Sequence, residues 1–212
     1  MKEIKLMKRS VKAIIFDYGD VIGKNPASYI FKAISKRFDI KNDEIKKEVS
    51  KFVLKLQKNH IPENVFWKKL AKNLRIENSR ELKNIWMKEY EKNSKINEKI
   101  ISLIRRLKKM GYKVCLLSNT PKFHKRVPFR RLLRKEFPTI IYSCDVKMRK
   151  PERRIYLLTL KKLRMKPEEC LIIDDEKKNL YYPKKIGMKT IHYKSLRQLK
   201  SQLEKNLGTK LF

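Results

Sequence analysis

Three short stretches of this sequence set reactive oxygen or nitrogen atoms directly after apolar runs, and a fourth sets a lysine before a proline. One is Asp17, in Ile-Ile-Phe-Asp-Tyr-Gly-Asp-Val-Ile, an acid closing a β-branched run with Gly19 two residues on to let the chain turn tightly. A carboxylate placed so projects into a crevice, although a strand-end Asp can equally do no more than cap neighbouring backbone. Asp174 and Asp175, in Leu-Ile-Ile-Asp-Asp-Glu-Lys-Lys-Asn, are adjacent carboxylates whose like charges are costly unless a cation sits between them. Such hard oxygen donors suit Mg²⁺, which takes one or two carboxylates with waters and a substrate phosphate. Asp174 is the expected direct ligand and Asp175 an indirect one, through water or a hydrogen bond; the bland alternative has Asp175 capping the next helix and Asn179 supporting the loop. Ser118 and Asn119 follow Val-Cys-Leu-Leu and offer a hydroxyl, an amide and backbone N–H groups to phosphate oxygens. Lys150, in Met-Arg-Lys-Pro-Glu, is singled out among many lysines by Pro151, which holds the backbone extended and opens the following helix.

The elements that must position these groups follow from hydrophobic periodicity. Residues 11–17 form a short buried strand. From Ser28 to Asn93 the spacing is helical with almost no strand signal: 28–38, 43–57, 62–74 and 79–91 are the candidates. Asn42 or Asp43 is expected to cap the second, Pro62 to stand in the first turn of the third, and Ser79 to cap the fourth. From Asn97 onward helices and strands alternate: helix 98–110 stopped by Gly111, strand 112–118, strand 139–142, helix 152–164, strand 170–174, helix 177–186, strand 189–193 and helix 195–206. Alternation of this kind predicts an α/β fold, a mostly parallel sheet with helices on both faces, interrupted by an inserted all-helical part. The expected division is a core of residues 1–24 and 96–212 and a helical cap of residues 25–95. Ligands of parallel sheets collect at the carboxyl ends of strands, where Asp17, Ser118 with Asn119, and Asp174 with Asp175 all fall.

The bulk properties bound the function. A chain of 212 residues fits one domain with an insertion, and no window approaches the roughly 18 unbroken apolar residues of a membrane span. Asp17 interrupts the apolar run 13–16 before it reaches the length of a signal-peptide core, so a cytoplasmic location is expected. Cys115, Cys144 and Cys170 have no close pairing and read as reduced, buried thiols. The formal net charge of +34 attracts polyanions. Lys is nevertheless scattered along the whole chain without a basic tail, an RNP-like motif or interleaved aromatics, so solvated helix faces outweigh a nucleic-acid surface.

With these residues in view, the chain resembles the haloacid dehalogenase superfamily, with its four motifs in order: Asp17, Ser118, Lys150, and Asp174 with Asp175. Leu-Leu-Ser-Asn-Thr, Met-Arg-Lys-Pro-Glu and Asp-Asp-x-x-x-Asn are most similar to the branch of α-glucose-1-phosphate phosphatase and the N-terminal phosphatase of soluble epoxide hydrolase, whose cap the helical insertion resembles. The resemblance implies a Rossmann-like core and a Mg²⁺-dependent phosphatase acting on a small phosphorylated substrate. In it Asp17 attacks phosphorus to form an aspartyl phosphate. Asp17, the backbone carbonyl of Gly19, and Asp174 hold the metal with help from Asp175. Ser118, Asn119 and Lys150 bind phosphoryl oxygens, with Lys150 also restraining Asp17.

One position departs from the pattern. Most phosphatases of the superfamily carry an Asp two residues after the nucleophile as general acid and base, and here Gly19 stands there while Asp20 is expected to point elsewhere. Losing a general acid costs about 10² to 10⁴ in rate, less when the leaving group is stable as an anion. The expectation is therefore a sugar 1-phosphate or acyl phosphate substrate, or a slow enzyme. The rivals are a catalytically weak basic protein that binds nucleic acid, a nucleotide or nucleic-acid-end phosphatase, and a 2-haloacid dehalogenase, which needs no Mg²⁺ pair and usually carries an aromatic in place of Gly19. His124 reads as a loop histidine with a lesser prospect of reaching substrate, and Trp67 and Trp86 as packing residues of the helical insertion.

Overall fold

A computed structural model describes residues 10–127 and 130–211; the Lys-rich start within the expected core segment lies outside the described residues. The strands β1 (Ala13–Phe16), β2 (Lys113–Ser118), β3 (Thr139–Tyr142), β4 (Cys170–Asp174) and β5 (Lys189–His192) form one wholly parallel sheet in the order β3-β2-β1-β4-β5. Every residue of β1 and β4 is buried, as the unbroken apolar runs Ala-Ile-Ile-Phe and Cys-Leu-Ile-Ile require of strands covered on both faces. Alternate side chains go to opposite cores. Ile14, Phe16, Leu116 and Ile173 pack with α5 (Glu98–Lys109), α6 (Arg130–Glu136) and α10 (Leu196–Leu207), reached through Ile104, Leu133 and Leu203. Ala13, Ile15, Cys115 and Ile172 pack on the other face with α8 (Arg153–Leu163) and α9 (Lys177–Lys185), through Ile155, Leu160 and Leu180. A one-turn helix, α7 (Ser143–Val146), follows β3.

The stretch of helical spacing forms α1 (Ala27–Phe38), α2 (Asn42–Gln57), α3 (Glu63–Asn73) and α4 (Ser79–Asn93) around a hydrophobic centre of their own. Phe66 lies at its middle, with ring centroids 5.6 Å from Phe52, 4.6 Å from Trp67 and 5.9 Å from Phe123. Phe123 and Val127 belong to this centre although they follow β2, so the 3-10 turn Lys122–Arg126 is a piece of the sheet-side chain embedded among the inserted helices.

Several helix starts differ from the sequence reading. Lys41, with no side-chain cap, precedes α2, so neither Asn42 nor Asp43 caps it. Asn78 caps α4 by accepting the N–H groups of Arg80 and Glu81, which leaves Ser79 inside the first turn. A cap must stand outside the helical dihedrals with its oxygen over the next two residues, and Asn78 meets that geometry one position earlier. Pro62 precedes α3 as its N-cap, and Pro151 lies one residue before Glu152, the N-cap of α8. Gly111, at φ 87°, follows the end of α5 in the left-handed conformation that favours glycine.

Candidate active site

Strand order brings the reactive positions together. β2, β1 and β4 are neighbours in the sheet, so their carboxyl ends form one rim. The Asp17 N–H donates to the Ile173 carbonyl at 2.9 Å, continuing the ladder past β1 and holding Asp17 beside Asp174. Ser118, the last residue of β2, lies on the other side.

Lys150 joins this rim from the loop after α7. Its ammonium is 1 % exposed and donates to Asp17 Oδ1 and to Asp174 Oδ2, both at 2.5 Å. Asn119 fixes the lysine backbone: its Nδ2 donates to the Lys150 carbonyl at 3.0 Å and its Oδ1 accepts the Lys150 N–H at 2.9 Å. The Asn119 amide thus holds Lys150 with its oxygen and one of its two N–H hydrogens. Ser118 Oγ lies 2.7 Å from Thr120 Oγ1, and the Thr120 N–H donates to Ser143 Oγ at 2.9 Å. Thr120 escaped the sequence reading; its only signal was a second hydroxyl two residues after Ser118.

Asp174 is fully buried and Asp175 partly so. Asp174 Oδ1 accepts the Glu176 N–H at 2.9 Å and Asn179 Nδ2 at 2.9 Å. Asn179 is in turn held by Tyr156, whose hydroxyl donates to its carbonyl at 2.7 Å. Asp175 does not cap α9; Glu176 occupies that position. The Asp175 carbonyl instead lies 2.8 Å from His192 Nε2, and a carbonyl can only accept, so Nε2 carries the proton.

Charge is unbalanced here. Carboxylate oxygens of Asp17, Asp174 and Asp175 lie within 4.8 Å of one another, with the single ammonium of Lys150 among them. Burial pushes the Asp17 carboxyl up, opposed by Lys150 and reinforced by Asp174. Burial and the Asp174 charge also push Asp175 up, and the two carboxylates hold the Lys150 ammonium charged despite its burial. An excess of buried negative charge carried by hard oxygen donors is what a divalent cation relieves, and the set fits Mg²⁺. The Gly19 carbonyl, expected as a further ligand, already accepts the Val21 N–H at 2.6 Å and keeps a second lone pair.

The turn after β1 corrects the reading of Gly19. The left-handed residue is Asp20, at φ 49°, while a Cβ built on Gly19 would meet Asp17 Oδ2 at an ordinary 3.6 Å. Backbone geometry therefore does not exclude a side chain at position 19. Glycine is required at Gly23, where a Cβ would collide with the Tyr18 ring. Asp20 Oδ1 accepts the Asn25 N–H at 3.0 Å, which ties that carboxylate to the loop.

Above the rim opens a cleft of about 320 Å³ whose lining includes Asp17, Ser118, Lys150 and Asp175 below and residues of α1, α2 and α4 above. His124 lines it as well: its Nε2 accepts the Trp86 indole N–H at 3.0 Å, and its ring stacks on Tyr90 at a centroid distance of 3.6 Å. Arg149 Nε donates to Gln57 Oε1 at 2.8 Å across the same opening. Among the described residues no helix is long and apolar enough to cross a membrane.

Comparison with known proteins adds an independent line. The family described as haloacid dehalogenase-like hydrolase matches residues 11–180. Bifunctional epoxide hydrolase 2 of Sus scrofa is 33% identical over 122 residues, 55% of this chain and 22% of that protein. Phosphorylated carbohydrates phosphatase of Thermotoga maritima is 32% identical over 87 residues, 41% of this chain and 40% of that protein. The chain thus spans well under two thirds of these relatives. A HAD family enzyme of Bacteroides thetaiotaomicron, solved in complex with magnesium and inorganic phosphate, superposes with a TM-score of 0.68 at 22% identity, covering 88% of this chain and 96% of that one. L-2-haloacid dehalogenase of Xanthobacter autotrophicus superposes with a TM-score of 0.63 at 16% identity, over 92% of this chain and 83% of the other. At such identities the superpositions speak for the fold alone.

Proposed function

The chain belongs to the haloacid dehalogenase-like hydrolases, and on that premise we propose that it is a phosphatase of small phosphate monoesters that uses Mg²⁺ and passes through an aspartyl phosphate on Asp17. The observation that carries this reading is the Lys150 ammonium shared between Asp17 and Asp174 at the foot of the cleft. A phosphoryl dianion approaching a carboxylate nucleophile meets repulsion unless positive charge is already in place, and here it is buried, fixed by Asn119 and 2.5 Å from Asp17.

Asp17 supplies the attacking oxygen, and Lys150 neutralises charge on the phosphoryl group while orienting the carboxylate. Ser118 and Thr120 offer hydroxyls to the equatorial oxygens, and Asp174 orients Lys150 from its other side. Asp17, Asp174, Asp175 and the Gly19 carbonyl would hold Mg²⁺, which supplies further charge neutralisation when bound. Residues 25–95 act as a cap over core segments 1–24 and 96–212, contributing the upper wall of the cleft. The phosphatase relatives support this reading, as does the excess of carboxylate, which a halide displacement would not need. The test is phosphate release from a panel of monoesters with Mg²⁺ and with a strong chelator, run beside chloride release from 2-chloropropionate. Metal-dependent phosphate release is expected; chloride release without phosphate release would establish the dehalogenase instead.

A further inference from the structure

We propose, resting on the phosphatase reading, that the physiological leaving group is an aryl oxyanion: the substrate is a phosphate monoester of a phenolic or similarly acidic planar hydroxyl, not of a sugar. Two independent features point there. The first is the upper wall of the cleft. Phe31, Val49, Val53, Leu56, Trp86 and Tyr90 line it, and they come from three different helices, α1, α2 and α4. Phe31 and Val53 are only partly buried, so their side chains keep surface to offer. A sugar needs a hydrogen-bonding group for each hydroxyl it buries, and a desolvated hydroxyl without one costs several kcal/mol. Several of the polar side chains at its edge already have partners. Gln57 Oε1 accepts from Arg149, His124 Nε2 accepts from Trp86, and the Lys24 ammonium donates to Tyr29 Oη at 3.0 Å. A flat apolar body meets the wall without such debts, and a cleft of about 320 Å³ holds a single ring with its phosphate.

The second feature is that position 19, beside Asp17, carries no side chain to give a proton to the leaving oxygen. Gly19 has no side chain, although its backbone accepts one. Asp20 is bound to the Asn25 N–H. His124 Nε2 accepts the indole N–H, so that nitrogen has no proton to give to a leaving oxygen. A phenolate leaves without that help, an alkoxide does not.

The step is then complete without an acid. An Asp17 carboxylate oxygen forms a bond to phosphorus, the phosphorus–aryl oxygen bond breaks, and its electron pair leaves as the phenolate, which takes a proton from solvent. Water then attacks the aspartyl phosphate, releasing orthophosphate and regenerating the carboxylate.

The test compares kcat/KM for phenyl phosphate, benzyl phosphate and glucose 1-phosphate, with acetyl phosphate as a leaving group that needs neither acid nor ring contact. Phenyl phosphate is expected to exceed both benzyl and glucose phosphates by about 10² or more. Gly19→Asp is expected to raise the ratio of kcat/KM for benzyl phosphate to that for phenyl phosphate, because an added acid helps an alkoxide leave more than a phenolate. Phe31→Ser is expected to raise KM for phenyl phosphate about tenfold more than KM for acetyl phosphate. Glucose 1-phosphate matching phenyl phosphate, or a Phe31→Ser enzyme with unchanged KM, overturns the aryl assignment while leaving the phosphatase reading standing. Failure to release phosphate from any of the four overturns the phosphatase reading itself, and the assignment with it.

Discussion

At the scale of single residues, the site is organised around one buried cation. Lys150 is held by two carboxylates at its head and by the Asn119 amide at its backbone, so its position is determined from both ends. Asn119→Ala is expected to lower kcat about 10²-fold with a much smaller change in KM, because a misplaced lysine costs rate more than binding. Steady-state kinetics check this, and an Asn119→Ala enzyme with normal kcat but reduced Tm would make Asn119 merely structural. Asp17, Ser118, Asp174 and Asp175 stood out in the sequence because strand ends can be read from apolar runs, whereas Lys150 stood out only by its place before Pro151. The role of Asn119 was not legible, since its partner lies 31 residues away and is backbone, which carries no sequence signature. Thr120 was overlooked because Ser143, whose hydroxyl accepts its N–H, lies 23 residues away in sequence.

At the scale of elements, helical periodicity located α1 to α4 to within a residue or two, and the strands with α5, α8, α9 and α10 likewise, whereas the short α6 and α7 were not among the expected elements. What periodicity could not reveal is the 3-10 turn Lys122–Arg126, too short for a helical signal, whose anchors are tertiary. Phe123 stacks on Phe66 with an interplanar angle of 7°, His124 accepts from Trp86, and Arg126 pairs with Glu63. Phe66 is fully buried at this junction, so Phe66→Ala should destabilise the protein by about 3 to 5 kcal/mol, measured by denaturant unfolding. A loss well under about 1 kcal/mol would mean that the ring is not central to packing. A second junction joins α5 to the end of α6, where Glu136 accepts Arg105 Nε at 2.8 Å. Its carboxyl is held below the ordinary 4.5, through the bonds from Arg105 and Lys108 that overcome the burial. A depressed folded value means that the contribution is present above the unfolded value and lost as pH falls through the folded one. Glu136→Gln is therefore expected to cost about 1 to 3 kcal/mol at pH 7, with the difference from the wild type shrinking as pH falls below the ordinary 4.5 and on through the lowered folded value. A difference that persists undiminished in acid would contradict the pairing.

At the scale of the whole molecule, a parallel sheet whose three central strands end in functional side chains carries a strongly cationic surface. With 56 basic against 22 acidic residues, a phosphate dianion approaches through a positive field that salt screens. Raising ionic strength from about 0.05 to about 0.5 M should thus lower kcat/KM for phosphate esters several-fold while kcat holds, as stopped-flow or initial-rate kinetics can read. A kcat/KM independent of salt would leave the charge without a part in substrate capture. Fold and family were legible from strand and helix alternation with the ordered motifs, whereas the apolar character of the cleft was not, because it depends on which faces of α1, α2 and α4 converge. The proposed aspartyl phosphate would form on Asp17. Acid quench during turnover of phenyl phosphate with Mg²⁺, followed by peptide mass spectrometry, should find a phosphoryl group on the peptide containing Asp17 and none in Asp17→Asn, which should be inactive. Phosphate release by Asp17→Asn at the wild-type rate, with no phosphorylated peptide in either protein, would contradict it.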